Sequence, residues 1–241
     1  MRFIKTLAAG TAALAAMLCV TASSYGAVKI SSSPHNLNNI GGTVISKNQV
    51  CLPCHTPHGA TQSDPNNKGE FLWNHNTNWT TSYTLYTSVH STRFGSTSSA
   101  NPQLDSTSRL CLSCHDGAIA IDAYGGGTGN VKMGDIGGGS ASLGTDLSTS
   151  HPVGVGYPGL SADGKTFTAS SASGYIDPTT PNWGRTVTVG SALGGGLTLE
   201  ALPNGKTGIG CGTCHTPHSY DYQFQKVDNT GSQLCFKCHD K

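Results

Sequence analysis

Eight cysteines fall into four repeats of one pattern: Cys51-Leu-Pro-Cys54-His55, Cys111-Leu-Ser-Cys114-His115, Cys211-Gly-Thr-Cys214-His215 and Cys235-Phe-Lys-Cys238-His239. Two thiols three residues apart reach the two vinyl groups of one porphyrin as thioethers. The adjacent histidine then turns under the ring to ligate iron, so Cys-x-x-Cys-His is the attachment pattern of a c-type haem. Two rival chemistries use the same cysteines. In an oxidising compartment eight could make four disulfides, and pairs of Cys-x-x-Cys could hold zinc. Neither explains a histidine directly after every pair. The sequence therefore points to four c-type haems with His55, His115, His215 and His239 as proximal iron ligands.

The second axial position decides between electron transfer and chemistry on a small molecule. Of three methionines, Met1 and Met17 lie in the leader, so Met133 could serve at most one iron. Six histidines lie outside the motifs: His35, His58, His75, His90, His151 and His218. Four irons need four, so every iron can be bis-His. Cys-x-x-Cys-His-Thr-Pro-His occurs twice, ending at His58 and His218. A histidine three residues past the proximal one cannot reach the far face of its own ring. It can reach a neighbouring haem, because the two Cα atoms are at most ~10 Å apart. The expectation is that His58 serves the second haem and His218 the fourth, with His35 (Pro-His-Asn-Leu) and His151 (Ser-His-Pro-Val) as the other distal ligands. His75 and His90 read as surface or haem-edge residues, and Trp73, Trp79 and Tyr83 as packing against porphyrin edges. Full bis-His ligation leaves no open iron, which points to electron transfer by a non-enzyme rather than to a nitrite or peroxide reductase.

The elements that must position these groups are sparse. Hydrophobic residues make up 36% of the 241 residues and charged residues 11%, against roughly 45–50% and ~25% in ordinary domains. A large aliphatic core of the α/β-enzyme kind is excluded. A net charge of +1 without a Lys/Arg run excludes a nucleic-acid binder. So low a charge is not the signature of a disordered chain. The expected fold is a multihaem cytochrome c: mostly irregular coil, short helices around the motifs, a few short strands, and a haem stack as the core. The motifs start at 51, 111, 211 and 235, which reads as two haem pairs, at 51–115 and 211–239, around a haem-free Gly/Ser/Thr-rich segment 116–210. Gly125–Gly127, Gly137–Gly139 and Gly194–Gly196 are turn signals, and Arg185-Thr-Val-Thr-Val alternates like a short strand. The 116–210 segment reads as a loop folded over the haems or a contact surface, with disorder as the alternative.

Residues 1–27 read as a Sec signal peptide. Arg2 and Lys5 precede an apolar run from Leu7 to Val20, followed by the small residues Ala22, Ser24, Gly26 and Ala27. That run is too short for the ~20 residues a bilayer span needs. Cleavage is expected within 22–27, in preference to a retained anchor. Lipidation at Cys19 is disfavoured by Leu18, where a small residue is needed. Removing Arg2 and Lys5 from 14 basic residues leaves 12 against 13 acidic ones in a single tetrahaem domain, 28–241, with no transmembrane segment. The mature chain of about 215 residues would carry one haem per ~54 residues.

The fragments His35-Asn-Leu, Cys51–His58, Leu110-Cys-Leu-Ser-Cys-His-Asp-Gly, Ser150-His-Pro-Val, Cys211–His218 and Leu234–Lys241 resemble those of multihaem c-type cytochromes with doubled motifs. Size, haem count and signal are most similar to the filament-forming tetrahaem outer-surface cytochromes of metal-reducing bacteria (OmcE-type). The resemblance implies His35, His58, His151 and His218 as distal ligands. It also implies a homopolymer that carries electrons from redox-partner cytochromes to extracellular acceptors, with one axial histidine supplied by a neighbouring subunit; His35, on an N-terminal arm, is the candidate. The surplus His75 and His90 depart from that pattern. A soluble periplasmic shuttle and a multihaem reductase or quinol dehydrogenase subunit are the alternatives. Eight propionates and four ferric porphyrins would bring the mature charge to roughly −5, and few side-chain charges hold subunits apart.

Overall fold

A computed structural model describes residues 30–38, 40, 45–56, 58, 75–76, 82–86, 104–137, 141–168, 174–178, 187–189, 197–218 and 220–240. The leader, Trp73, Trp79, His90 and the Gly194–Gly196 run lie outside the described residues.

Asp105 starts the longest helix. Its backbone is extended, and its buried carboxylate accepts hydrogen bonds from the Ser108 N–H (2.8 Å) and the Ser108 hydroxyl (2.5 Å). This is the N-cap arrangement, which satisfies a donor that the first helical turn leaves orphaned. Helix α1, Ser106–His115, carries the second motif on its last turns and buries Leu110, Leu112 and Ser113. It is longer than a single turn around a motif, because the capped Ser-Thr-Ser-Arg-Leu lead-in extends it backwards.

Strands β1 (Val155–Gly156), β2 (Val187–Val189), β3 (Leu197–Ala201) and β4 (Thr207–Ile209) form one sheet in the order β1-β4-β3-β2. β4 is antiparallel to β1 and β3, and β2 runs parallel to β3. Of the expected strand at 185–189, Val187–Val189 form β2, and 185 and 186 lie outside the described residues. Three further strands make the 116–210 segment more regular than its composition promised. Along β3, buried Leu197 and Leu199 alternate with more exposed neighbours, the period of a half-buried strand. The β3–β4 hairpin turns at Asn204-Gly205, where Gly205 takes φ 74° and Asn204 accepts the Lys206 N–H at 3.1 Å. A side chain on Gly208 would overlap the Val155 carbonyl, so the β1–β4 pairing needs glycine there.

β4 passes through Gly210 directly into helix α2, Cys211–Cys214, which is the third motif. The Cys211 N–H donates to the Ser108 hydroxyl at 2.8 Å. The cap of α1 therefore also holds the start of α2, and a Cβ on Gly210 would meet the Asp105 carboxylate.

Among the described residues there are three small apolar clusters, each against a motif. Val155, Tyr157, Leu197, Leu199 and Ile209 pack with Leu234 and Cys238 of the fourth motif region. Tyr83, Leu85, Leu104 and Leu147 surround Leu112 of the second. Ile45, Ile121, Tyr124 and Met133 pack with Leu52 of the first and Cys114 of the second. Tyr83, read from sequence as a porphyrin-edge residue, is buried in the middle cluster, and its hydroxyl donates to Asp116 at 2.9 Å. Among the described residues, no helix is long and apolar enough to cross a membrane.

Gly210→Ala is expected to destabilise the protein by about 1–3 kcal/mol through overpacking against Asp105. Asp105→Ala in the same chain should return part of that loss. Thermal melts of the single and double variants check this; a Gly210→Ala melt matching the parent would show that the contact is unimportant.

Candidate metal centre

Each motif is wound into one helical turn. The N–H of His55 donates to the Cys51 carbonyl (2.7 Å), that of His215 to Cys211 (3.0 Å) and that of His239 to Cys235 (2.9 Å). The Cys111–His115 stretch is the end of α1. Residues i, i+3 and i+4 of such a turn share one face, so both sulfurs and the imidazole of every motif can address one flat group. None of the eight sulfurs is joined in a disulfide. Burial pushes Cys54 and Cys214 up to about 11, and Cys114 and Cys238 up to about 12, while the Cys111 hydrogen bond draws Cys211 down. Among the described residues, no group of three or more His, Cys, Asp or Glu side chains is arranged to hold a bare metal ion.

Two imidazole pairs then face one another. His55 and His218 have ring centres 6.0 Å apart and planes 15° from parallel. His35 and His115 have ring centres 6.1 Å apart with planes at 63°. Metal–imidazole bonds of about 2 Å on each face, with about 1 Å more from each nitrogen to its ring centre, put two axial imidazoles roughly 6 Å apart. Both centre separations match that spacing. Burial, then the neighbouring His115, lowers the pKa of His35 and keeps it in the neutral form that ligates metal.

Spacing gave the expectation that His58 serves the second haem and His218 the fourth. Among the ring contacts of the described residues, His218 lies near His55 of the first motif and His35 near His115 of the second. The chain folds back, so that the segment after the third motif lies against the first motif and the N-terminal arm. His215 and His218 therefore link the third motif to the first, cutting across the first–second and third–fourth pairs. His58 and His151 are exposed, with His151 Nδ1 3.2 Å from the Pro152 carbonyl. His75 is not a surface residue. It is buried at the edge of the second motif, with Nδ1 2.8 Å from the Asn76 carbonyl and Nε2 3.5 Å from Cys114 Sγ.

The motifs also neighbour one another in chain order. Cys54 and Cys114 interact electrostatically, Cys111 and Cys211 share a hydrogen bond, and Cys214 interacts with Cys235 and Cys238. Three supporting features carried no sequence signal of their own. Phe224 lies against His35, with ring centres 4.3 Å apart. Tyr175 lies against His239 at 5.0 Å. Beside α2, Glu200 is close enough to Gly212 that a Cβ there would meet its carboxylate. Burial and then nearby Asp105 raise Glu200 from 4.5 to about 7, with Lys226 opposing.

Residues 204–241, holding the third and fourth motifs, match the family model of the doubled CXXCH motif. No curated protein and no solved structure matches the chain. The family match supports a multihaem c-type cytochrome.

Glu200 binds its proton more tightly folded than unfolded, so its contribution is fully present below pH 4.5 and is lost as pH rises through about 7. Glu200→Gln should flatten the fall in stability across that window, a difference on the order of 1–3 kcal/mol. Denaturation midpoints from pH 4 to 8 would show it; parallel curves for parent and variant would contradict it.

Proposed function

We propose that the chain is an exported tetrahaem c-type cytochrome that relays electrons through bis-His irons, and that it polymerises into an extracellular filament reaching external acceptors. The observation that carries this reading is the pair of opposed imidazoles, His55–His218 and His35–His115, each at the separation a six-coordinate iron requires. When bound, haem iron supplies a reversible ferric–ferrous couple. The chain's own residues do the rest. The cysteines anchor, the histidines close both axial faces against small-molecule ligands, and the neighbouring motifs support a continuous run from first to fourth.

His58 and His151 complete the third and fourth irons. Polymerisation is favoured by the low side-chain charge and by the exposed Tyr220, Tyr222 and Phe236 in the C-terminal region. An apolar surface of this kind, with few charges to oppose contact, suits a second copy.

The intact mature protein should weigh as a chain cut within 22–27 plus four haems. Negative-stain microscopy of material from the culture exterior should show unbranched filaments with a fixed axial repeat. Discrete particles of one subunit's size under several salt conditions would replace the filament with a soluble periplasmic shuttle. Ready carbon monoxide binding by the reduced protein would reveal an open iron and favour a reductase.

A further inference from the structure

His35 is held on two sides by one segment, the loop that follows the third motif. Pro217 of that loop lies beside its ring. The ring of Phe224 lies against the imidazole, with centres 4.3 Å apart and planes 31° apart. The ring of Tyr220 meets that of Phe224 at 63°, with centres 5.0 Å apart.

The loop is built to deliver that ring. Tyr222, Gln223 and Phe224 take φ of 50°, 58° and 67° in succession, a conformation that L-residues avoid and that persists only when the surroundings enforce it. The enforcing contacts are visible: the Thr216 N–H donates to the Phe224 carbonyl at 2.9 Å, the Lys226 N–H donates to the Cys214 carbonyl at 2.8 Å, and His215 pairs with Gln225 across the base of the loop. Backbone strain is thus concentrated where a side chain is pressed onto an axial ligand.

The consequence is a difference between two irons. His55 and His218 lie 15° from parallel, whereas His35 and His115 are crossed at 63°. The relative angle of two axial imidazoles sets the splitting of the iron d orbitals. Near-parallel planes give a rhombic low-spin ferric spectrum, and crossed planes give a spectrum dominated by one large g value.

We propose that Phe224 is a positioning residue: it fixes the plane of His35 across that of His115, and so makes the second haem electronically distinct from the first. The proposal rests on the bis-His reading of these irons.

Electron paramagnetic resonance of the ferric holoprotein tests it. The parent should show both a rhombic and a large-g low-spin class. Phe224→Leu, which keeps apolar bulk but removes the flat ring, should shift one large-g signal towards the rhombic class and leave the rhombic signals in place. Phe224→Tyr should keep the parent spectrum. Should Phe224→Leu fail to accumulate, Tyr220→Leu at the exposed neighbour should cause a smaller shift of the same signal. A spectrum unchanged in Phe224→Leu, or in Tyr220→Leu where that variant stands in, overturns the role, as does a parent with the rhombic class alone. Failure of the underlying reading shows separately, as a haem content below four or a high-spin signal in the parent before any substitution.

Discussion

An iron between two imidazoles needs them on opposite faces of one plane, and on the proposed reading that requirement joins parts of this chain that sequence keeps far apart. His55 and His218 are 163 positions apart and His35 and His115 are 80 apart, yet both pairs close to about 6 Å. The entropy of closing such loops grows only logarithmically, so the longer costs roughly 0.6–0.7 kcal/mol more than the shorter. Ligation free energy becomes folding free energy when the site exists only in the folded chain. On the proposed reading, the axial bonds are the main long-range ties of the molecule.

The rest of the fold follows from that division of labour. Among the described residues, three separate clusters, each of four or five buried apolar residues, each set one motif region. The most compact join is at Asp105. Its carboxylate caps α1, its partner Ser108 receives the Cys211 N–H, and Gly210 fits beneath it. A single buried acid thereby ties the second motif to the third.

The motifs were legible because thioether attachment demands a fixed covalent spacing, which coordinates are not needed to see. Counting offered enough histidines for every iron, since Met133 is the one methionine past the expected leader. Which imidazoles come together was not legible: spacing lets His218 reach a neighbouring haem, but which one depends on where the chain folds back. The helical turns at the motifs and the β2 strand followed from local pattern, whereas β1, β3 and β4 were masked by the Gly- and Ser-rich sequence around them. Phe224 gave no signal, because its role arises from a left-handed backbone run that residue types alone do not announce.

The central claim is that His218 closes the first iron, and it can be tested by placing the defect. The ferric His218→Ala protein should gain a high-spin haem. That signal should disappear when Cys51 and Cys54 are also replaced by alanine, because the affected haem is then no longer attached. It should persist when Cys235 and Cys238 are replaced instead. A high-spin signal that survives loss of the first motif and vanishes with the fourth would contradict the pairing and restore the partner that sequence spacing alone indicates.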